Sequence, residues 1–306
     1  MAPQRVIGVD LGGTKILAGV VDRDGTVERR REVPTPLASQ DELLQGLAGA
    51  VADVLEDDVA AIGFGIPSTI DQRSGKAVTS VNIPLADLDL RAWMRERFSL
   101  PVGIDNDANA ATLAEWAHGA GRGTRHMVML TLGTGVGGGL ILDGKPYRGA
   151  VGAGAELGHI VIDLDGPPCQ GVCTGRGHLE ALASGHAATM AAYERFGPAA
   201  DAHRLVRLAS EGDRAAVDLL AELGRRLGAG IVSLVNIFNP ELVVVGGGFS
   251  AAGDFLLEPS REVVAREALS PSRELVRIVR AELGTAAGLV GAGLVAFEAL
   301  DGVAPT

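Results

Sequence analysis

One pattern occurs twice in this chain and limits its fold more than any other feature: an apolar strand, a glycine-rich turn and a returning strand. The two copies occupy residues 5–22 and 126–142. They align with Asp10 opposite Thr131 and continue in step into the turn that follows. We interpret them as an internal duplication of one α/β unit.

Between and after these copies, strand patterns alternate with helical patterns, which is typical of layered α/β folds. Further strands are predicted at 26–33, 60–66, 101–105, 241–245 and 275–281. Helices are predicted from a capping box at 39–42 to 55, and at 107–118, 178–192, 213–237, 254–268 and 287–300. No glycine- or serine-rich linker marks a boundary. We therefore place the domain boundary at the start of the second copy, which gives a small α/β domain over 1–118 and a larger one over 119–286.

Glycine-rich turns follow three of the strands and are candidate phosphate sites. Without a Cβ atom, backbone N–H groups can close around phosphate oxygens. The turns are Gly12, Gly13 and Thr14; Gly133, Thr134 and Gly135, within 133–139; and Gly246, Gly247 and Gly248. Asp10 is suited to hold Mg²⁺ directly or through water, and Lys15 to meet a phosphate. The alternative, tight hairpin turns without a ligand, is less favoured because two of the turns match.

Composition narrows the function further. The formal net charge of −11 disfavours binding to nucleic acid, and no apolar run is long enough to span a membrane. The chain opens without a signal-peptide pattern, so we expect a cytoplasmic protein. Cys169 and Cys173 lie close together and, without a secretory context, are interpreted as a metal pair rather than a disulfide.

Six ordered motifs together resemble the ROK family (repressors, open reading frames, kinases) over almost the whole chain. They are Asp-Leu-Gly-Gly-Thr-Lys at 10–15, Asp-Asn-Asp-Ala-Asn-Ala at 105–110, Leu-Gly-Thr-Gly-Val-Gly at 132–137, Glu-Leu-Gly-His at 156–159, Gly-His-Leu-Glu at 177–180 and Val-Gly-Gly-Gly at 245–248. Within the family, the likeness is greatest to bacterial glucokinases.

The resemblance implies a duplicated actin/hexokinase-like (ribonuclease H-like) ATPase fold, with two domains and a cleft between them. It implies transfer of the γ-phosphoryl group of ATP, with Mg²⁺, to the 6-hydroxyl of glucose. It also implies that the C-terminal helix, over about 287–306, packs back on the small domain. A homo-oligomer, dimer or tetramer, is expected from the family likeness and from the small-residue stretch 228–235.

The same resemblance assigns roles to residues. Asp107 matches the catalytic base, and the three turns match the nucleotide site. The residues that match sugar ligands are Asn82, Asn106, Asp107, Glu156, His159 and Glu180. A different interpretation makes Asp107 the N-cap of the helix that it opens, and makes Asn106 and Asn82 turn-forming residues.

The family also has a zinc site, a histidine followed by Cys-x-Cys-Gly-x-x-Gly-Cys-x-Glu, which this chain alters. His178 takes the place of the motif's third cysteine, and Cys173 takes the place of the second. Cys169 lies two residues before the position of the first cysteine. With His159 these residues would form a Cys₂His₂ set for structural Zn²⁺. The alternative is two free cysteines and a helix-capping histidine. Ser68 is a second departure, where the family usually has glycine.

Other functions stay open at this point. Within the kinases they are phosphorylation of mannose, fructose, N-acetylmannosamine or N-acetylglucosamine, or polyphosphate as the donor. A sugar-responsive transcription regulator is disfavoured, because such proteins carry a DNA-binding helical domain and only nine residues precede Asp10. A non-catalytic sugar-binding protein is disfavoured by Asp107 and the two matched turns.

Overall fold

The computed structural model describes residues 4–80 and 83–302, apart from the side chain of Thr79. Its strands are β1 (Arg5–Leu11), β2 (Lys15–Asp22), β3 (Val27–Pro34), β4 (Val59–Ile66), β5 (Ser68–Asp71), β6 (Lys76–Ser80), β7 (Leu88–Asp89), β8 (Val102–Asn106), β9 (Met127–Leu132), β10 (Val136–Leu142), β11 (Lys145–Pro146), β12 (Leu242–Gly246) and β13 (Arg277–Arg280). Its helices are α1 (Gln40–Ala52), α2 (Leu90–Phe98), α3 (Asp107–His118), α4 (Leu179–Ala183), α5 (Gly185–Phe196), α6 (Ala202–Ser210), α7 (Arg214–Phe238), α8 (Asp254–Glu267), α9 (Ser272–Leu275) and α10 (Ala287–Leu300). Short 3₁₀ turns occur at Leu157–His159, Gly248–Ala252 and Gly284–Ala286.

The first compact unit comprises the described residues of 1–122, 146–155 and 285–306. Its main sheet has the order β3-β2-β1-β4-β8, in which β2 is antiparallel to β1 and β3, and β4 is parallel to β1 and β8. Alternate residues of β1 face opposite sides. Ile7 belongs to the core that contains Leu43 and Leu47 of α1, whereas Val6 packs with Ala296 and Phe297 of α10.

A row of glycines supports α10. Gly8, Gly63 and Gly103 lie side by side, in register, on β1, β4 and β8. A Cβ atom at any of them would overlap a backbone carbonyl of α10; the carbonyls are those of Leu289, Ala292 and Val295. The helix therefore rests on the sheet backbone to backbone, which only glycine permits.

The second compact unit comprises residues 123–145 and 156–284. Its sheet has the order β11-β10-β9-β12-β13, with β9 antiparallel to β10 and β12 parallel to β9 and β13. The central strands repeat the arrangement of the first unit. Asp10 pairs with Gly65, and Thr131 pairs with Gly246 at the same place in the second sheet. This register confirms the duplication and the alignment inferred from sequence.

Some predicted elements differ from the structure. The helix predicted at 178–192 is two helices, because Ser184 is extended and its side chain accepts a hydrogen bond from Ala187 N at the start of α5. The strands β5 and β6 and the helices α2 and α6 were not predicted, because their apolar patterns are short.

The stretch 228–235 was offered in support of an oligomer because it could pack helices closely, and the structure shows such packing within the second unit. Gly228 lies against Val263 and Ser260 of α8, and Gly230 lies against Leu179. The small residues therefore allow helices within the second unit to approach closely. In the part of the chain that the structure describes, no helix is long and apolar enough to cross a membrane.

The glycine row can be tested with Gly63→Ala. The added methyl group would overlap Ala292 O, which belongs to backbone and cannot turn aside. We expect the free energy of unfolding to fall by about 3 kcal/mol, measured by urea denaturation. Gly49→Ala is the matched control, because nothing lies within 4 Å of its added methyl group in α1. It should gain about 0.5–1 kcal/mol. Equal stability of the two variants would contradict the contact.

Candidate active site

The first glycine turn is held closed by backbone hydrogen bonds. Gly12 N donates to Lys15 O at 2.9 Å. Thr35, at the end of β3, donates from its N–H to Thr14 O at 3.0 Å and from its hydroxyl to Gly12 O at 2.7 Å. Thr35 had no motif to reveal it in the sequence. The Lys15 ammonium is half exposed and pairs with Glu32 at 3.0 Å, so its contact with a phosphate stays a prediction.

Asp10 lies at the end of β1 against the first turn of α10. A Cβ atom at residue 288 would overlap its carboxylate, so Gly288 gives it room. Burial and the neighbouring charge of Asp107 raise the pKa of Asp10 to about 6, while Lys15 acts in the opposite direction. Two carboxylates that repel each other in a poorly solvated site are suited to a divalent cation.

The structure divides two roles at the start of α3. Asn106 is the N-cap, and its Oδ1 accepts hydrogen bonds from Ala108 N at 2.9 Å and Asn109 N at 3.3 Å. Asp107 is the first helical residue, and its Oδ1 lies 2.9 Å from Ala108 N. The interpretation of Asp107 as the N-cap is therefore wrong. Its carboxylate stands at the positive end of the helix, where a negative charge is favoured.

The second and third glycine turns lie together in the second unit. Gly133 N donates to Gly135 O at 3.0 Å, and Gly133 O accepts from Gly185 N at 2.9 Å, which ties the turn to the start of α5. Gly247 has a φ of 80°, and a Cβ atom there would overlap Leu132 O. Nothing lies within 4 Å of the Cβ position of Gly248. This turn therefore presents open backbone next to the second turn.

A pocket of about 390 Å³ extends from these two turns. Its further lining comes from α5, α6 and the turn after β12: Gly185, His186, Thr189, Asp201, Ala202, His203, Val206, Phe249 and Ala251. None of these residues was singled out from the sequence, because the pocket depends on how the helices pack and not on a motif. The lining combines apolar side chains such as Val206 and Phe249 with polar ones such as Thr189 and Asp201, and a concave site of this size suits a small molecule.

Glu156, His159 and Glu180 form one polar cluster in the second unit. Glu180 Oε2 accepts from Val136 N at 2.9 Å, and a Cβ atom at residue 135 would overlap this carboxylate. Loss of solvation raises the pKa of Glu156, His159 opposes that shift, and the charge of Glu180 adds to it. The predicted sugar ligands of this unit therefore lie within electrostatic reach of one another, beside the second turn.

The four predicted metal ligands converge. Their ligand atoms all lie within 4.8 Å of one another. His159 Nδ1 is 3.2 Å from His178 Nδ1, Cys169 Sγ is 3.6 Å from His159 Nδ1, and Cys173 Sγ is 3.7 Å from His178 Nδ1. Tetrahedral Zn²⁺ at its usual bond lengths would need edges of about 3.3 Å between two nitrogens and about 3.6 Å between nitrogen and sulfur. The side chains present therefore fit zinc.

Backbone contacts support this cluster. Ile162 N donates to Gly177 O, and Cys169 N donates to Gly175 O, each at 2.9 Å. His178 is the N-cap residue of α4, but its side chain makes no capping hydrogen bond. The alternative of a helix-capping histidine is therefore confirmed in position, but the imidazole itself caps nothing and faces the other three side chains of the cluster.

The predicted site residues divide between the two units. Asp10, Asn106, Asp107 and the first turn belong to the first unit, whereas Glu156, His159, Glu180 and the other two turns belong to the second. Asn82 lies outside the described residues.

Comparison with known proteins decides the family. The model of the ROK family matches residues 6–299. The chain belongs to the ROK family. It is 36% identical to a glucokinase of Streptomyces coelicolor, over 95% of this chain and 97% of that protein. It is 34% identical to a glucokinase of Thermotoga maritima, over 99% of this chain and 100% of that protein.

A solved structure agrees. The ROK family glucokinase from Streptomyces griseus, in complex with glucose and AMPPNP, superposes with a TM-score of 0.85 at 36% identity. The match covers 96% of this chain and 99% of that one. The predicted fold class, a duplicated actin/hexokinase-like α/β fold, is thereby confirmed.

Proposed function

We propose that the protein is an ATP-dependent glucokinase that transfers the γ-phosphoryl group of ATP to the 6-hydroxyl of glucose. The observation that carries the proposal is the start of α3. Asn106 caps the helix, so the Asp107 carboxylate beside it is not needed as a cap. The similarity to a glucokinase solved with glucose and AMPPNP supports the choice of both substrates.

The nucleotide would occupy the pocket that begins at Gly133, Thr134 and Gly248. Its base and ribose would lie against α5 and α6, and its phosphates would meet the N–H groups of the second and third turns. The first turn would contact the terminal phosphate. Mg²⁺ fits beside Asp10, where it would screen the repulsion from Asp107 and neutralise phosphate charge.

The sugar would be held by Asn106 and by the cluster of Glu156, His159 and Glu180. Carboxylates and imidazoles suit a hexose, which presents hydroxyl groups on every side. Asp107 would accept the proton of the attacking hydroxyl and orient its oxygen for in-line displacement. The proton ends on Asp107, and the phosphoryl group moves from ADP oxygen to sugar oxygen.

Zn²⁺ would be held by His159, Cys169, Cys173 and His178. Bound there, it would crosslink the loop between Glu156 and Glu180 and fix those two carboxylates. A dimer or tetramer, and a cytoplasmic location, remain predictions that rest on family likeness and composition.

A panel of acceptors and donors tests the function. We expect ATP with Mg²⁺ to phosphorylate glucose with a higher kcat/KM than mannose, fructose, N-acetylmannosamine or N-acetylglucosamine, measured by coupled ADP release. Polyphosphate without ATP is the donor control, followed by direct detection of glucose 6-phosphate. Turnover of an N-acetylated hexosamine but not glucose would overturn the glucokinase assignment.

Asp107→Asn tests the base. An amide cannot take up the hydroxyl proton, so we expect kcat to fall by at least about 10²-fold. Folding should survive because the cap is supplied by Asn106. Asp213→Asn is the matched control: Asp213 caps α7 by accepting from Ala216 N, and this variant should keep its kcat. A folded Asp107→Asn protein with wild-type kcat would remove Asp107 from the mechanism.

Metal analysis tests the zinc site. We expect about one Zn²⁺ per chain, lost in Cys173→Ser together with a rise in the KM for glucose. Asp165→Asn, a change in the same loop but outside the four ligands, should retain both metal and KM. Full activity of wild-type protein from which a chelator has removed all zinc would contradict the structural role.

A further inference from the structure

A buried ion pair adjoins the start of α3. Asp105 and Arg148 are 1% and 3% exposed, and Arg148 Nε donates to Asp105 Oδ2 at 2.6 Å. At the other end of the guanidinium, Arg148 Nη2 donates to Glu298 Oε2 of α10 at 2.7 Å. Asp105 and Arg148 lie 43 positions apart in sequence, and neither is among the predicted site residues.

The second oxygen of Asp105 holds the catalytic turn. Asp105 Oδ1 accepts from Asn106 N at 2.8 Å and from Asn109 Nδ2 at 3.1 Å. Gln72 Nε2 approaches the same oxygen at 3.4 Å. The Asp105 carboxylate therefore bonds Arg148 through one oxygen and the first turn of α3 through the other. Asp105 itself lies two residues before Asp107.

Arg148 belongs to a segment with an unusual course. Residues 146–155 belong to the first unit, while the chain on either side belongs to the second. Gln72 N donates to Val151 O at 2.9 Å, and Gly154 N donates to Arg148 O at 2.8 Å. Gly152 lies so close to Ile70 O that a Cβ atom would overlap it. The segment is thus fixed at several points, and the next residue along the chain is Glu156.

Stability alone does not account for a buried pair of this kind. Removing two charges from water offsets most of their attraction, and apolar replacements of similar volume are often as stable. The pair instead fixes orientation, because the hydrogen bonds of Asp105 and Arg148 constrain both the α3 turn and the 146–155 segment.

We propose that Asp105 and Arg148 are positioning residues for phosphoryl transfer. They would orient Asn106 and Asp107 and fix the segment that leads into Glu156. This inference rests on the proposed kinase function.

The test compares Arg148→Met, Asp105→Asn and the double variant Asp105→Asn/Arg148→Met. Each single change leaves a buried polar partner and should lower Tm. The double variant removes both charges of the pair and leaves only the carboxylate of Glu298, whose side chain is 25% exposed, without its partner, so it should recover part of the lost Tm. Its kcat should nevertheless stay about 10- to 10²-fold below wild type, because a neutral amide accepts more weakly from the α3 turn and no longer ties it to the 146–155 segment, while the KM for ATP is unchanged.

Two more variants separate positioning from folding. Glu298→Gln leaves the Asp105–Arg148 bond in place and should keep a kcat near wild type. Arg148→Lys keeps one charged bond and should retain a higher kcat than Arg148→Met. If the Arg148→Met protein does not fold, a reduced kcat of the folded Arg148→Lys protein supports the inference and a wild-type kcat contradicts it. If the double variant recovers kcat as well as Tm, the positioning role is wrong but the proposed kinase function is unaffected. A wild-type protein inactive on every sugar would overturn the proposed function and the inference with it.

Discussion

The contact between α10 and the glycine row is the constraint on which the first unit depends. Three strands must each lack a side chain at the same level for the carbonyls of the helix to lie directly on the sheet. Because the helix sits this low, Gly288 at its start comes against Asp10, and Glu298 near its end reaches Arg148. These polar groups of the first unit are therefore placed by a close packing contact between backbones.

The second unit positions its polar side chains through different contacts. Its polar cluster is held by backbone hydrogen bonds, among them the bond from Val136 N to Glu180 in α4. Glu180 is fixed at Val136 N, which begins the strand after the second turn, so a predicted sugar ligand and a predicted phosphate turn share one hydrogen bond.

The sequence indicated the duplicated frame and the three turns, because each is local or repeats, and the likeness to the family motif indicated the four side chains that converge as candidate metal ligands. The pairing of Asp10 with Gly65 and of Thr131 with Gly246 agrees with the alignment made from residues alone. Long-range packing was not readable in this way. Arg148 looks like an ordinary loop residue until the fold buries it against Asp105, and the lining of the pocket at α5 and α6 follows no motif. The cap at α3 was assigned one residue too late, since Asn and Asp are both good caps and only geometry separates them.

The place of α10 after the second unit in the chain has a consequence for the order of folding. The second unit is inserted between β8–α3 and α10, and its last described strand, β13, precedes α10 in sequence. During synthesis the glycine row of the first unit stays uncovered until residues 287–300 have left the ribosome. The inserted unit has all its strands by then and can fold earlier, whereas the first unit must close a loop of more than 160 residues, from 123 to 284, before its sheet is covered. The first unit therefore cannot cover this face of its sheet before α10 has been made, and a chain that stops before residue 287 would keep that face open.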